Sequence, residues 1–208
     1  MNENQKTVLN QIKFSGVGLH TGVFSRLVLK PAPSNTGIIF IRKDLDNPVQ
    51  IKAIIDNVIN CNRGTTIGYK NISVHTVEHL LSSLFGLRID NVLIEIDNIE
   101  VPILDGSSQT FVDKILKVGI VDLKQKKEYI KINESIEHVN GDSIIKVSPS
   151  NIYSATYNAN YGYGNMNNRK FTLHSISEYK KEICSARTFC SIDELEYLKE
   201  NNLIKGVN

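Results

Sequence analysis

The sequence predicts an α+β protein built as two similar layered domains of strands packed on helices, the second of them incomplete. Three observations lead there. Segments with apolar residues two apart alternate with segments whose apolar residues recur three and four apart, the periods of half-buried strands and amphipathic helices. The same order, several strands and then helices, runs twice, before and after a lysine-rich stretch at residues 124–127. A length of 208 residues holds between one and two domains of ordinary size.

In chain order, the period-two set Val23, Leu27 and Leu29 marks a first strand over residues 23–29. The β-branched runs 37–42 and 49–53 mark two more. Residues 65–74 read as a hairpin turning at Gly68-Tyr69-Lys70-Asn71. From Val77 onward, Val77, Leu80, Leu81, Leu84 and Phe85 form the apolar stripe of a helix, with Gly86 placed to cap its C-terminus. Residues 91–96 are a buried-looking strand. Asp105-Gly106-Ser107-Ser108 then supplies a turn and an N-cap for a helix carrying Phe111, Val112, Ile115 and Leu116, closed at Gly119.

These elements make an N-terminal domain over residues 1–123, and the lysine run reads as a solvated linker. A partial second domain over residues 128–208 restarts the pattern. It has strands at 129–132 and 143–147 around an Asn140-Gly141 turn, then a polar stretch bearing Tyr153, Tyr157, Tyr161 and Tyr163. Those tyrosines suggest either a stacking platform or, without a basic groove, a solvent-facing strand and loop. A strand at 171–173 and helices near 177–185 and 192–201 follow. The turn-like tail Ile204-Lys205-Gly206-Val207-Asn208 closes no element, so the chain is expected to be a fragment.

Composition removes several classes of function. Hydrophobic residues at 41% and charged residues at 22% exclude a disordered or fibrous chain. Lys and Arg number 24 against 22 Asp and Glu, and a net charge of +2 argues against a nucleic-acid partner. No window is apolar enough for a transmembrane segment, and the polar start MNENQKT is not a signal peptide, so a cytoplasmic location is expected. Cys61, Cys184 and Cys190 show no C-x-x-C pairing and read as reduced thiols.

The chemistry concentrates at His75-Thr76-Val77-Glu78-His79. At 100° per residue from Val77, the stripe residues fall within roughly 80°, whereas Glu78 sits at about 100° and His79 at about 200°. Both therefore point away from the core. An ordinary solvated face is the plain reading. The functional one is a neutral imidazole offered to a metal, with the adjacent carboxylate taking a proton from the water the metal activates. His75-x-x-Glu78-His79 also matches an inverted zinc-peptidase pattern, which requires His75 to lie inside the helix.

Six ordered segments carry a resemblance. They are Gly16-Val17-Gly18-Leu19-His20-Thr21-Gly22, Pro31-Ala32-Pro33-Ser34-Asn35-Thr36-Gly37, Thr76-Val77-Glu78-His79-Leu80, Ile89-Asp90-Asn91, Pro102-Ile103-Leu104-Asp105-Gly106-Ser107 and Ser185-Ala186-Arg187-Thr188-Phe189. Together they resemble the UDP-3-O-acyl-N-acetylglucosamine deacetylases, zinc amidases of lipid A synthesis, over essentially the whole chain.

The resemblance implies Zn2+ as cofactor and a UDP-sugar acyl substrate, with a zinc cleft between two facing α+β domains. It implies His79 as a zinc ligand, Glu78 as the general base, and Thr188 as a hydroxyl that stabilises the tetrahedral oxyanion. Leu19, His20, Thr188 and Phe189 would line the substrate site.

Members of that family continue to a helix bearing a His-x-x-x-Asp zinc pair and a further histidine acting as general acid. Within the 208 residues, His138 with Asp142 and His174 with Glu178 have the letter spacing, but both read as surface residues. One imidazole does not hold zinc tightly, so the chain alone is expected to be inactive. A non-catalytic sugar-nucleotide-binding fragment is the remaining alternative.

Overall fold

A computed structural model of the chain describes residues 3–162, 167–201 and 203–206. Its main sheet has five strands in the order β2-β3-β9-β4-β5. These are β2 (Ile12–Val17), β3 (Phe24–Pro31), β4 (Ile38–Arg42), β5 (Val49–Lys52) and β9 (Val92–Ile96). All neighbours are antiparallel except β4 and β9, which run parallel with Phe40 opposite Ile94. The long crossover this demands carries β6 (Val58–Asn60), the hairpin of β7 (Thr66–Tyr69) and β8 (Ile72–Val74), and helix α1 (Glu78–Gly86).

Alternation decides which face is covered. Along β3, Ser25, Leu27 and Leu29 are buried while Phe24 and Arg26 are exposed. Helix α1 lays Leu80 and Leu84 on that sheet, and α2 (Gln109–Val118) adds Phe111 and Ile115. The Phe14 and Phe111 rings meet at 4.9 Å, joining β2 to α2. Each such side chain removed from water contributes roughly 1.5–3 kcal/mol. The observed class is thus α+β, as the two periodicities indicated.

A second pairing closes the unit. β1 (Asn4–Val8) runs antiparallel to β10 (Ile120–Lys126), placing Val8 opposite Ile120. The Gln5 side chain accepts from the Asn35 N–H and the Asn91 Nδ2, while Asn91 Oδ1 accepts from the Gly37 N–H. The segments 31–37 and 89–91 are therefore locked by one buried amide network against the first strand.

From residue 128 onward the elements are slighter. β11 (Ile136–Asn140) and β12 (Ser143–Val147) form a hairpin turning at Gly141, whose φ is +55°, and all ten of its strand residues are exposed. β13 (Ala155–Ala159) pairs with β14 (Arg169–Leu173). A 3-10 turn, Ile176–Glu178, leads into the single-turn α3 (Tyr179–Glu182). Helix α4 (Ile192–Glu200) begins with a full capping box between Ser191 and Glu194. Tyr179 and Cys184 pack on Val112 of α2.

Several expectations are corrected. Strands β1 and β2 were not anticipated. Lys124 and Lys126 close β10 instead of floating in a linker, and the Lys127 ammonium pairs with Asp90 at 2.9 Å. Residues 129–132 form no strand with any of the described residues; β12 takes Ile136–Asn140 as its partner. The helix expected over 177–185 shrinks to α3. Phe85, at the rim of the apolar stripe, is exposed and meets the Tyr153 ring edge-on at 5.3 Å.

Gly86 does not cap α1. It lies inside the helix, and a Cβ there would overlap the Tyr179 ring. At α2, the Ser107 hydroxyl receives the Gln109 N–H, whereas Ser108 bonds elsewhere. Tyr163 lies outside the described residues. No helix among the described residues is long and apolar enough to cross a membrane.

Candidate functional site

The first turn of α1 carries Glu78 and His79 off the buried stripe, as the angular reading requires, but both are half-buried instead of open to solvent. The chain reaches that turn through Thr76, whose φ of +55° is uncommon for any residue with a Cβ and costly for a β-branched one. His75, just before it, is extended and bridges Glu100; its Nε2 lies 3.1 Å from the Ser73 hydroxyl. This overturns the inverted-peptidase alternative, because His75 and His79 do not share a helical face.

The Glu78 carboxylate accepts the Thr65 N–H at 2.9 Å. Beside it stands His20, whose Nε2 lies 3.0 Å from the Arg63 carbonyl. A Cβ at Gly64 would stand 3.4 Å from both Glu78 Oε1 and His20 Nε2, so the glycine keeps the space between the two groups open. With the Nε2 proton given to Arg63, His20 Nδ1 is a buried acceptor without a partner among the described residues.

The His79 carbonyl accepts the Ser108 hydroxyl at 2.8 Å, which fixes this turn of α1 against the start of α2. Burial pushes the His79 imidazole below its ordinary pKa, with Glu78 and Asp105 opposing. The ring is therefore neutral and has a lone pair to offer. Burial raises the pKa of the Asp105 carboxyl, but hydrogen bonds from Ser107 and the charge of Arg187 outweigh it and hold the group below the usual range.

Thr188 and Phe189 arrive from the second half of the chain. The Thr188 N–H donates to the Gly106 carbonyl at 2.9 Å, next to Asp105. Thr188 and Phe189 line a cavity of about 380 Å³ with Arg63, Tyr161, Arg187 and Glu194. Arg63 and Glu194 pair at 2.7 Å across its mouth, and the Tyr161 and Phe189 rings meet edge-on at 5.3 Å. Leu19 is half-buried, and its carbonyl accepts the Gly206 N–H at 3.0 Å.

The structure thus brings Glu78, His79 and His20 together and sets Thr188 and Phe189 in an adjoining cavity. Arg63, Gly64 and Glu100 went unnoticed in the sequence. Of these only Glu100 left a signal, a carboxylate inside the apolar run Ile99-Glu100-Val101-Pro102.

Among the described residues no three His, Cys, Asp or Glu side chains converge. His138 sits in β11 opposite Ile145, and the Glu178 carboxylate is occupied by the His174 N–H at 3.1 Å. The residues present offer one good imidazole ligand, His79, and do not complete a zinc site.

Fold and site define an α+β protein with a carboxylate and a neutral imidazole side by side, half-buried, on the first turn of a helix. The chain belongs to the family described as UDP-3-O-acyl N-acetylglycosamine deacetylase (LpxC), whose family model matches residues 5–208. It is 39% identical to the bifunctional enzyme LpxC/FabZ of Chlorobaculum tepidum, over 99% of this chain and 44% of that protein. It is 37% identical to the UDP-3-O-acyl-N-acetylglucosamine deacetylase of Coxiella burnetii, over 98% of this chain and 68% of that protein. The corresponding Thioalkalivibrio sulfidiphilus deacetylase is 38% identical, over 97% and 67%. The chain thus spans less than half of the bifunctional relative and about two thirds of the other two.

Proposed function

We propose that this protein carries the base and one metal ligand of a zinc-dependent amide hydrolase that removes acetate from UDP-3-O-acyl-N-acetylglucosamine in cytoplasmic lipid A synthesis. The observation that carries the reading is the Glu78-His79 pair on the first turn of α1, in a chain of this family. Glu78, held by the Thr65 N–H, takes a proton from the attacking water. The Thr188 hydroxyl donates to the oxyanion as the carbonyl becomes tetrahedral. His79 is the donor this chain offers to zinc, and Leu19, His20 and Phe189 flank the sugar nucleotide and its acyl chain. We also divide the chain, on this reading, into a first unit over residues 1–123, which β10 extends to Lys126 through its pairing with β1, and a second over residues 128–208.

Because the ligand set is incomplete, the 208-residue chain by itself holds zinc weakly and turns over little substrate. The test is zinc per chain after dialysis against trace free metal, paired with calorimetry of UDP-3-O-acyl-N-acetylglucosamine in chelator. Near-zero zinc, with substrate heat that Phe189→Ala abolishes, is expected. One zinc per chain would refute the incomplete site, and an absence of substrate heat would refute the substrate assignment. Full deacetylase turnover by the chain alone would refute its inactivity.

A further inference from the structure

We propose that Glu100 is a positioning residue that sets the separation of His20 from Glu78. The proposal rests on the reading of Glu78 as the base. Glu100 is wholly buried, yet among the described residues no cation pairs with it. A carboxylate in that setting is costly unless donors surround it. Four do. Oε1 accepts the His20 N–H at 2.9 Å and the Thr76 hydroxyl at 2.7 Å; Oε2 accepts the Thr21 N–H at 2.7 Å and the Thr21 hydroxyl at 2.5 Å.

All four donors come from two segments. One is the loop after β2, which carries His20; the other is the left-handed residue that launches α1, and with it Glu78. On either side of Glu100 the main chain is stitched to His75, through His75 N–H to Ile99 O and Val101 N–H to His75 O. A Cβ at Gly18 would collide with the Glu100 side chain, so the loop also folds closely around it.

The carboxylate therefore does two things that an apolar filler would not. It holds the His20 main chain by its N–H, and it ties down the strained Thr76 whose conformation aims the first turn of α1. Burial raises the pKa of Glu100, but the hydrogen bonds outweigh it, so the anionic form that binds these donors is the stable one.

The test is residue-resolved amide hydrogen exchange and histidine-ring NMR on the full 208-residue chain, comparing wild type with Glu100→Gln. The variant keeps the shape but leaves one pair of donors facing an amide nitrogen. Exchange of the His20 and Thr21 amides should accelerate about tenfold to a hundredfold, while those of Leu27, Leu29 and Ile94 keep their rates. In the wild-type background Glu78→Gln should move the His20 ring signals, and in the Glu100→Gln background it should no longer do so.

Wild-type exchange at His20 and Thr21 would overturn the proposal. So would equal acceleration of every core amide, or an undiminished effect of Glu78→Gln. Thr76→Ala removes a single donor and covers the case in which Glu100→Gln fails to fold; a smaller acceleration at the same amides is expected, and its absence counts equally against the proposal. None of these signals requires amide hydrolysis. A failed deacetylase assay leaves them intact, and their failure leaves the deacetylase reading standing.

Discussion

Residues 4–126 and residues 136–206 bury their side chains in contrasting ways. The first region gathers one continuous apolar cluster from Val8 to Ile115. Among the described residues the second contributes only Leu173, Tyr179, Cys184 and Leu198 to the buried apolar set, and its β11–β12 hairpin is exposed on both faces. Yet the second region supplies Arg187, Thr188, Phe189 and Glu194 to the cavity. The difference teaches that the Glu78–His79 pair stands on one continuous core, while the residues of the adjoining cavity are held by a few anchors.

The sharpest way to test that contrast is by truncation. Phe111→Ala should cost about 3–5 kcal/mol in urea unfolding, whereas Ile144→Ala on the exposed hairpin should stay within about 0.5 kcal/mol. Equal losses would abolish the distinction. Tyr179→Ala comes next, at roughly 2–4 kcal/mol, because it removes the ring packed on α2 together with its hydroxyl contact to Ser82 at 2.7 Å. Limited proteolysis should then cut within residues 128–185 before the first region is lost.

Gly86 sharpens the same point through its sign. In an ordinary helix interior Gly→Ala stabilises by up to about 1 kcal/mol. Here the new methyl meets the Tyr179 ring, so Gly86→Ala should destabilise by about 1–3 kcal/mol. In the Tyr179→Ala background the sign should reverse, as thermal melts of the double variant would show.

The smallest expected effect is acid sensitivity of the first region. Burial lowers the His75 pKa from 6.5, with Arg42 and His20 adding to the shift and Glu100 opposing it. The folded state thus prefers the neutral ring, so its contribution is complete above the ordinary value and is lost as pH falls through it. Asp44, held low by Arg42, behaves likewise further down, below its ordinary 3.8. Melting temperatures should fall from about pH 7 to about pH 5.5, and His75→Gln should flatten that slope.

What the sequence disclosed cuts across that division. β3, β4, β5, β9, α1 and α2 were legible because burial imposes a period on them, and β12 and α4 in the second region were read from local pattern as well. β1 and β10 were not, since Asn-Gln-Lys-Thr-Val and a lysine-bearing strand identify themselves only through each other. Residues 129–132 carry β-branched side chains yet form no strand among the described residues, so propensity alone misled. At the site, Glu78 and His79 could be read from helical angle, and Thr188 and Phe189 only from family resemblance. Arg63, Gly64 and Glu100 owe their places to contacts between segments distant in sequence, which no local pattern encodes.

The pairing of β1 with β10 also has a consequence in time. Asn4 faces Lys126, so the strand synthesised first finds its neighbour only after more than a hundred further residues have emerged. Closing so long a loop is entropically slow, and Val8 lacks its partner Ile120 while it is pending. The hairpins and helices between them can form meanwhile from near neighbours. The segments between them can therefore order while β1 is still unpaired, and an interval of that kind is when a nascent chain is most open to chaperones and to aggregation.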